Sequence, residues 1–185
     1  MLLGALLDTD RESGRLSETL EAAVASFGLG DDLLNIERVV EKGVSCTRVT
    51  VLGEKTPPLR HLPDMEKILA GSTLSARVRE RGLRALRRLA EVEAGIHGCS
   101  VENIHFHEVG AVDTLVDVVG TFVLVEALGV NSVLVAPIPV GGGTVEIAHG
   151  RMGVPAPATA HLLRGLPIVG GPELRELTTP TGALL

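Results

Sequence analysis

Aromatic residues are almost missing from this sequence. Its 185 residues include three Phe and no Trp or Tyr, although 45% of the residues are hydrophobic. A core must therefore be built from Leu, Val, Ile and Ala side chains in close-packed layers. The scarcity also excludes recognition of nucleic acid by base stacking, because that mode needs aromatic platforms.

Positive charge and cysteine are also in short supply. The 17 Lys and Arg residues stand against 23 Asp and Glu, for a net charge of -6. We expect no nucleic-acid partner, since non-specific binding depends on Lys and Arg displacing counterions from phosphates. The two cysteines, Cys46 and Cys99, are far apart, with no signal peptide pattern ahead of them. This favours free thiols in a cytoplasmic protein.

Long apolar runs are absent as well. The most apolar stretch, residues 118–140, is interrupted by glycine, glutamate, asparagine and proline. No uninterrupted run is long enough to span a bilayer, so we expect a protein that works outside the membrane.

The spacing of apolar residues predicts an α+β fold: one domain over residues 1–185, with helices packed on a mixed or antiparallel sheet. Helices are predicted at residues 16–27, 63–70, 75–96, 111–128 and 157–164, with further helical turns at 1–7 and 181–185. Strands are predicted at residues 34–40, 44–52, 132–136 and 144–148. The first two strands form a hairpin in which Gly43 takes a positive φ. The Val-rich residues 111–128 leave a strand open as the alternative.

The segment richest in chemistry is residues 105–113, which read HFHEVGAVD. On an extended strand His105 and His107 project from one face, whereas on a helix they diverge by roughly 200°. Imidazole nitrogen is a good ligand for nickel, zinc or copper, and Glu108 and Asp113 could add oxygen ligands or hold the rings by hydrogen bonds. The spacing equally allows the alternative, in which the histidines are surface residues and the aspartates bond to neighbouring loops.

Two further histidines lie near predicted element ends. His149 falls at a turn between two strands, where it is either exposed or completes a site carried mainly by another segment. His97 precedes Gly98, which predicts the end of a helix, and Cys99 follows. We expect Cys99 to pack as a small apolar residue rather than to bind a metal. Further along, the proline-rich residues 154–159 are stiff enough to form a pocket wall.

Two segments suit an anionic group. Residues 141–143 are three glycines that could expose successive backbone N–H groups, and residues 178–182 look like a hydroxyl-rich helix start. Neither carries a P-loop ending or a Gly-x-Gly-x-x-Gly pattern, so a tight turn and an ordinary helix cap are the alternatives. The candidates for cofactor binding are Gly142, Gly143, Thr178, Thr179 and Thr181.

Four motifs, in the same order along the chain, resemble one family closely: residues 105–113, 149–150, 154–159 and 176–182. The family comprises the nickel-insertion proteins for pyridinium-3,5-bisthiocarboxylic acid mononucleotide, the nickel-pincer cofactor of lactate racemase and its relatives. The resemblance extends from residues 1–8 through 61–64 and 94–98. It implies a CTP-dependent cyclometallase, a lyase of the metal chelatase type, that inserts nickel between two sulfur ligands and forms a carbon–nickel bond.

The resemblance also implies that this chain is an N-terminal portion lacking the family's first strand and its C-terminal nucleotide-binding domain, where CTP with Mg or Mn is expected. The expected partner is the mononucleotide substrate, and a separately encoded C-terminal domain and further copies of the chain are open alternatives. The candidate nickel ligands are His105, His107, Glu108, Asp113 and His149. Two alternatives stay open: a non-catalytic nickel- or cofactor-binding module that needs a separate partner, and an α+β domain whose histidines are structural.

Overall fold

Helices dominate the first two-thirds of the chain, where apolar side chains recur every three or four positions. The computed structural model describes residues 1–30, 32–52, 61–104, 111–147 and 149–185. Its helices are α1 Leu2–Asp8, α2 Arg15–Ala25, α3 Leu62–Gly71, α4 Ala76–His97, α5 Ala111–Ala127, α6 Pro157–Leu162 and α7 Pro180–Leu184. Each predicted helix is present, with ends that differ by a few residues.

Helix α5 lies at the centre of the core and packs against α1, α2 and α4. Its side chains Leu115, Val116 and Leu124 are at most 1% exposed. The Val-rich segment is a helix, so the strand alternative is excluded. Its nearly continuous apolar composition fits a helix that is buried on several sides. Gly120 permits the close approach, since a Cβ there would lie 2.8 Å from a Leu20 methyl carbon on α2.

The predicted hairpin is confirmed. Strands β1 Leu34–Glu41 and β2 Val44–Val51 are antiparallel, with Leu34 opposite Val51 and Glu41 opposite Val44. The two turn residues, Lys42 and Gly43, have φ of 49° and 85°. Positive φ at both positions gives a turn whose twist matches that of the flanking strands.

Helix α1 packs against β2 through one carboxylate and one glycine. Asp8 accepts hydrogen bonds from the Thr47 backbone N–H at 3.3 Å and from the Thr47 hydroxyl at 2.7 Å, and it pairs with Arg38. The Thr47 hydroxyl, followed by Arg38, lowers the pKa of Asp8. Gly4 lets the helix approach, because a Cβ there would lie 2.3 Å from the Thr47 carbonyl oxygen.

The strands after α5 are short. β3 Ile138–Pro139 and β6 Ile168–Val169 pair in parallel, and β4 Thr144–Ile147 and β5 Gly150–Gly153 form an antiparallel hairpin. The predicted α+β class is confirmed, but the described strands form separate two-stranded sheets rather than one sheet joining the early hairpin to the later strands.

One predicted strand is wrong. Residues 132–136 form no strand, and Val133, Leu134 and Val135 are 69%, 96% and 68% exposed. Alternating side chains make a strand only where another backbone completes the hydrogen-bond ladder, and no described segment pairs with these residues. In the described ranges, no helix is both long enough and apolar enough to cross a membrane.

Candidate functional site

The predicted metal ligands divide into two groups. His105, His107 and Glu108 lie outside the described residues. Asp113 lies in the first turn of α5, and His149 lies in the turn between β4 and β5. Their proposed role in metal binding stays a prediction.

The aspartates Asp113 and Asp117 lie four positions apart on α5, and hence on the same side of the helix. Partial desolvation raises the pKa of Asp113, although the residue as a whole is exposed. Burial also raises the pKa of the half-buried Asp117, and the negative charge of Asp113 adds to that effect, while the N-terminal ammonium opposes it. An apolar helix therefore carries two carboxylates whose ionised form is disfavoured by their surroundings.

His149 contacts a second histidine at the end of α4. Its ring centroid lies 4.8 Å from that of His97, and the ring planes are inclined at 59°. His97 is the last residue of α4, and its Nε2 lies 3.7 Å from the Glu93 carboxylate oxygen Oε2 one turn earlier. The side chains of His97 and Glu93 are 26% and 12% exposed. Two imidazoles and a nearly buried carboxylate thus come together from two separate elements.

Local sequence signals explain where His97 lies. Gly98 has a φ of 64° and ends α4 in the left-handed conformation, as predicted. Ser75 caps the start of the helix, because its hydroxyl accepts a hydrogen bond from the Val78 N–H. Between these ends, Glu93 follows Leu86 and Leu89 on the buried side of the helix. The apolar stripe therefore ends in a carboxylate and an imidazole.

The three side chains face a cavity of about 230 Å³. It is lined by Glu93, Ile96, His97, Ile147, His149, Met152, Ala156, Pro157, Ala158 and Pro180. The predicted pocket wall at residues 154–159 is present, since three of its residues line this space. Asp113 does not line it.

The arrangement offers two nitrogen donors rather than a closed metal site. Among the residues that the structure describes, no group of three or more His, Cys, Asp or Glu side chains is arranged to hold a metal ion. Cys99 is an exposed free thiol, so its predicted apolar packing is wrong: Gly98 turns the chain out of the helix just before it.

The glycine run has a packing role. A Cβ on Gly141 would lie 1.9 Å from the Arg175 carbonyl oxygen, and the φ of Gly141 is 89°. The Gly142 N–H donates to the same carbonyl oxygen at 3.3 Å, and the Gly143 carbonyl accepts from the Val154 N–H at 3.1 Å. Close backbone approach thus explains Gly141, and cofactor binding by Gly142 and Gly143 remains a prediction.

The threonines also have local partners. Thr178 donates its hydroxyl hydrogen to the Pro139 carbonyl at 2.8 Å, and the Thr179 hydroxyl accepts from the Gly182 N–H at 3.3 Å at the start of α7. Thr181 follows in the first turn and is half-buried. These contacts match the alternative of an ordinary helix cap, and binding of a cofactor by the three threonines stays a prediction.

Sequence reasoning missed Glu93 and underrated His97. The only available signal was its helical spacing from Leu86 and Leu89, and that spacing does not distinguish Glu93 from the solvated charged residues of the same helix. Its neighbour His97 lies one turn later on the same helix, and His97 in turn contacts His149 on a different element far along the chain.

Comparison with known proteins identifies the family. The family model described as nickel insertion protein matches residues 1–185. The chain belongs to the nickel insertion protein family. A putative nickel insertion protein from Geobacter metallireducens is 46% identical over 187 residues, which cover 100% of this chain and 47% of that protein. No solved structure matches the chain.

Two further members of the nickel insertion family carry a more specific name. The pyridinium-3,5-bisthiocarboxylic acid mononucleotide nickel insertion protein of Desulfitobacterium hafniense is 42% identical, over 100% of this chain and 45% of that protein. The protein of the same name from Staphylococcus epidermidis is 38% identical, over 99% of this chain and 45% of that protein. The chain thus spans about half the length of the curated relatives it matches.

Proposed function

We propose that this chain takes part in inserting nickel into pyridinium-3,5-bisthiocarboxylic acid mononucleotide. The observation that carries the proposal is the meeting of His97, His149 and Glu93 at one cavity in a member of the nickel insertion family. Relatives that match nearly all of the chain are named for that substrate.

The donor set suits a metal that is to be passed on. Imidazole nitrogen is a borderline ligand that binds nickel firmly enough to collect it, while the two sulfur atoms of the substrate are softer and compete for it. Transfer then exchanges nitrogen ligands for sulfur ligands. Forming the carbon–nickel bond replaces a ring hydrogen of the substrate, so one proton is released and no electron is transferred.

The remaining site assignments belong to the same proposal. We infer that His105, His107, Glu108, Asp113 and His149 supply nickel ligands or hold those ligands in place. Gly142, Gly143, Thr178, Thr179 and Thr181 are proposed to contact the mononucleotide. CTP, with Mg or Mn, is proposed as the second substrate of a lyase-type cyclometallase, and it would bind in a C-terminal portion of the longer proteins.

A second candidate function follows from length. The chain covers only 47% of the Geobacter metallireducens relative. It could therefore act as a non-catalytic module that binds nickel or the cofactor and needs a separate C-terminal partner before any metal is inserted.

One experiment separates the two functions. The chain is incubated with metal-free cofactor, nickel, CTP and Mg, alone and together with the remaining half of a relative, and mass spectrometry follows the metallated cofactor. Product from the chain alone supports insertion by this portion, and product only with the added half supports the binding module. A chain that leads to no product in either mixture would overturn the proposed function.

A matched pair of variants tests the predicted segment. We expect replacement of both His105 and His107 by alanine to abolish product in whichever mixture forms it. His161→Ala, which removes an exposed histidine from α6, should leave product formation unchanged.

A further inference from the structure

A groove rich in arginine, formed mainly by α4, carries a more specific inference, which rests on the proposed function. Four guanidinium groups line this arginine groove, those of Arg81, Arg84, Arg87 and Arg88. We propose that the groove binds a nucleotide, with the arginines holding its phosphate and Phe122 contacting its ring. The two nucleotides of the proposed reaction, the pyridinium mononucleotide and CTP, both have this chemistry.

The arginine groove lies beside a close crossing of two helices. A Cβ on Gly82 of α4 would lie 3.2 Å from the Val119 methyl carbon Cγ2 of α5, so the crossing leaves little room for a larger residue. Phe122 follows Val119 by about one turn and lines the groove, together with Leu184 of α7. The groove has a volume of about 450 Å³, and sites for small molecules usually measure about 300–1,000 Å³.

The arginine groove is positively charged although the chain as a whole is negative. The net charge of the sequence is -6. Among the described residues that line the groove, however, the four guanidinium groups face one carboxylate, that of Glu91. Positive charges still outnumber negative ones two to one when Glu66, which pairs with Arg87, is included. An anionic ligand is therefore attracted to this side of α4.

Two of the arginines are available to a ligand. Arg81 and Arg84 are three positions apart on α4 and hence neighbours on its surface. Their guanidinium groups form no hydrogen bond or ion pair with any residue in the described ranges. A guanidinium group carries five N–H donors in a planar fork that matches the oxygen atoms of a phosphate. Two such groups can therefore hold one phosphate through several charge-assisted hydrogen bonds.

The other two arginines are held only weakly by the protein. Arg87 donates to the Glu66 carboxylate at 2.6 Å, and Arg88 lies 3.8 Å from the Glu91 carboxylate. All four of these side chains are substantially exposed. Ion pairs as exposed as these add little stability, so either arginine can turn to a phosphate at small cost.

Phe122 favours a nucleotide over a bare anion. It is one of three Phe residues in the chain, and it is half-buried at the groove rather than enclosed in the core. A pyridinium ring is a cation that is attracted to an aromatic face, and a cytosine ring stacks on one. Ala85 and Leu184 add apolar contacts in the same groove. The groove thus combines an apolar contact for a ring with cationic contacts for a phosphate.

Calorimetric titration of the chain with the pyridinium mononucleotide, CTP and inorganic phosphate tests the arginine groove. We expect Arg81→Gln and Arg84→Gln each to weaken nucleotide binding about tenfold, because each removes a planar fork from the phosphate. Arg81→Lys keeps the charge without the fork and should weaken binding less. Phe122→Leu should weaken nucleotide binding and leave phosphate binding unchanged. Arg164→Gln is the matched control, since it removes an exposed arginine outside the groove, and should bind like the parent.

The variants also show which nucleotide the arginine groove takes, because affinity should fall for the mononucleotide, for CTP or for both. The inference is overturned if a double variant, Arg81→Gln with Arg84→Gln, keeps the far-UV circular dichroism of the parent and binds both nucleotides with parental affinity. It is also overturned if the parent binds neither nucleotide.

Metallated cofactor, measured in the same preparations, separates this inference from the proposed function. Product from the parent beside unchanged binding in the double variant would leave the proposed function standing and refute the arginine groove. Binding that the double variant loses, beside a parent that forms no product with or without the added half of a relative, would do the reverse.

Discussion

The packing of α1 on β2 gives a sharp stability prediction. Gly4 is buried, and a Cβ added there would lie 2.3 Å from the Thr47 carbonyl oxygen and 3.3 Å from its carbon. Gly95 provides the matched control, since it is an exposed residue of helix α4 and a Cβ there meets nothing within 4 Å. We compare Gly4→Ala with Gly95→Ala.

Both substitutions gain helix propensity, and only Gly4→Ala adds a steric cost. Alanine in a helix interior is favoured over glycine by about 1 kcal/mol, and Gly95→Ala should show that gain in full. At Gly4 the new methyl is about 1 Å too close to a strand carbonyl, and overpacking of this kind costs about 1–3 kcal/mol. The backbone of β2 cannot retreat without straining the hydrogen bonds from Thr47 to Asp8. A contact of 2.3 Å to a backbone oxygen takes the upper part of that range, about 2–3 kcal/mol, so subtracting the gain of about 1 kcal/mol leaves a net loss of about 1–2 kcal/mol for Gly4→Ala.

Urea and thermal unfolding, each followed by circular dichroism, measure both effects. For a chain of this size each kcal/mol shifts Tm by about 2–4 °C, so the two variants should move in opposite directions by several degrees. A Gly4→Ala chain as stable as the parent, beside a stabilised Gly95→Ala chain, would refute the close packing of α1 on β2.

Three further predictions follow from charge and burial. The pKa of Asp8 is lowered by Thr47 and Arg38. Its contribution to stability is therefore present above the usual carboxyl pKa and is lost as the pH falls through the folded-state pKa. Asp8→Asn should make the free energy of unfolding less dependent on pH below about pH 4. The pKa of Asp117 is raised by burial, so its ionisation destabilises the fold at neutral pH; Asp117→Asn should raise the urea midpoint at pH 7 and remove the gain that the parent shows on mild acidification. Leu124 is 0% exposed, so Leu124→Ala should lower the free energy of unfolding by about 2–5 kcal/mol in the same assay. Leu174 is 85% exposed, and Leu174→Ala should stay within about 0.5 kcal/mol of the parent.

Helices and turns were predictable because their signals are local. Gly98 and Gly129 end α4 and α5 with φ of 64° and 68°, and glycine adopts such angles without steric cost. The hairpin turn at Gly43 follows the same logic. Residues 132–136 were mispredicted because a strand depends on a neighbouring backbone, which the alternation of side chains does not report.

The candidate site was predictable only in part. His149 was identified as a residue that could complete a site on another segment, and the proline-rich wall at residues 154–159 was also identified. Glu93 was not, because a carboxylate on a long charged helix resembles the solvated residues around it. Its burial becomes apparent only when the cavity side of α4 is seen.

By itself, the sequence determined the α+β class, the ends of the main helices, the first hairpin and, through four ordered motifs, the nickel insertion family. These follow from interactions between residues a few positions apart or from motif identity. Only the tertiary structure decided that His97 meets His149, that Gly141 lies against the Arg175 carbonyl, and that β3 pairs with β6. Such contacts join residues far apart in the chain, and their geometry depends on how the apolar sides of α4, α5 and α6 pack.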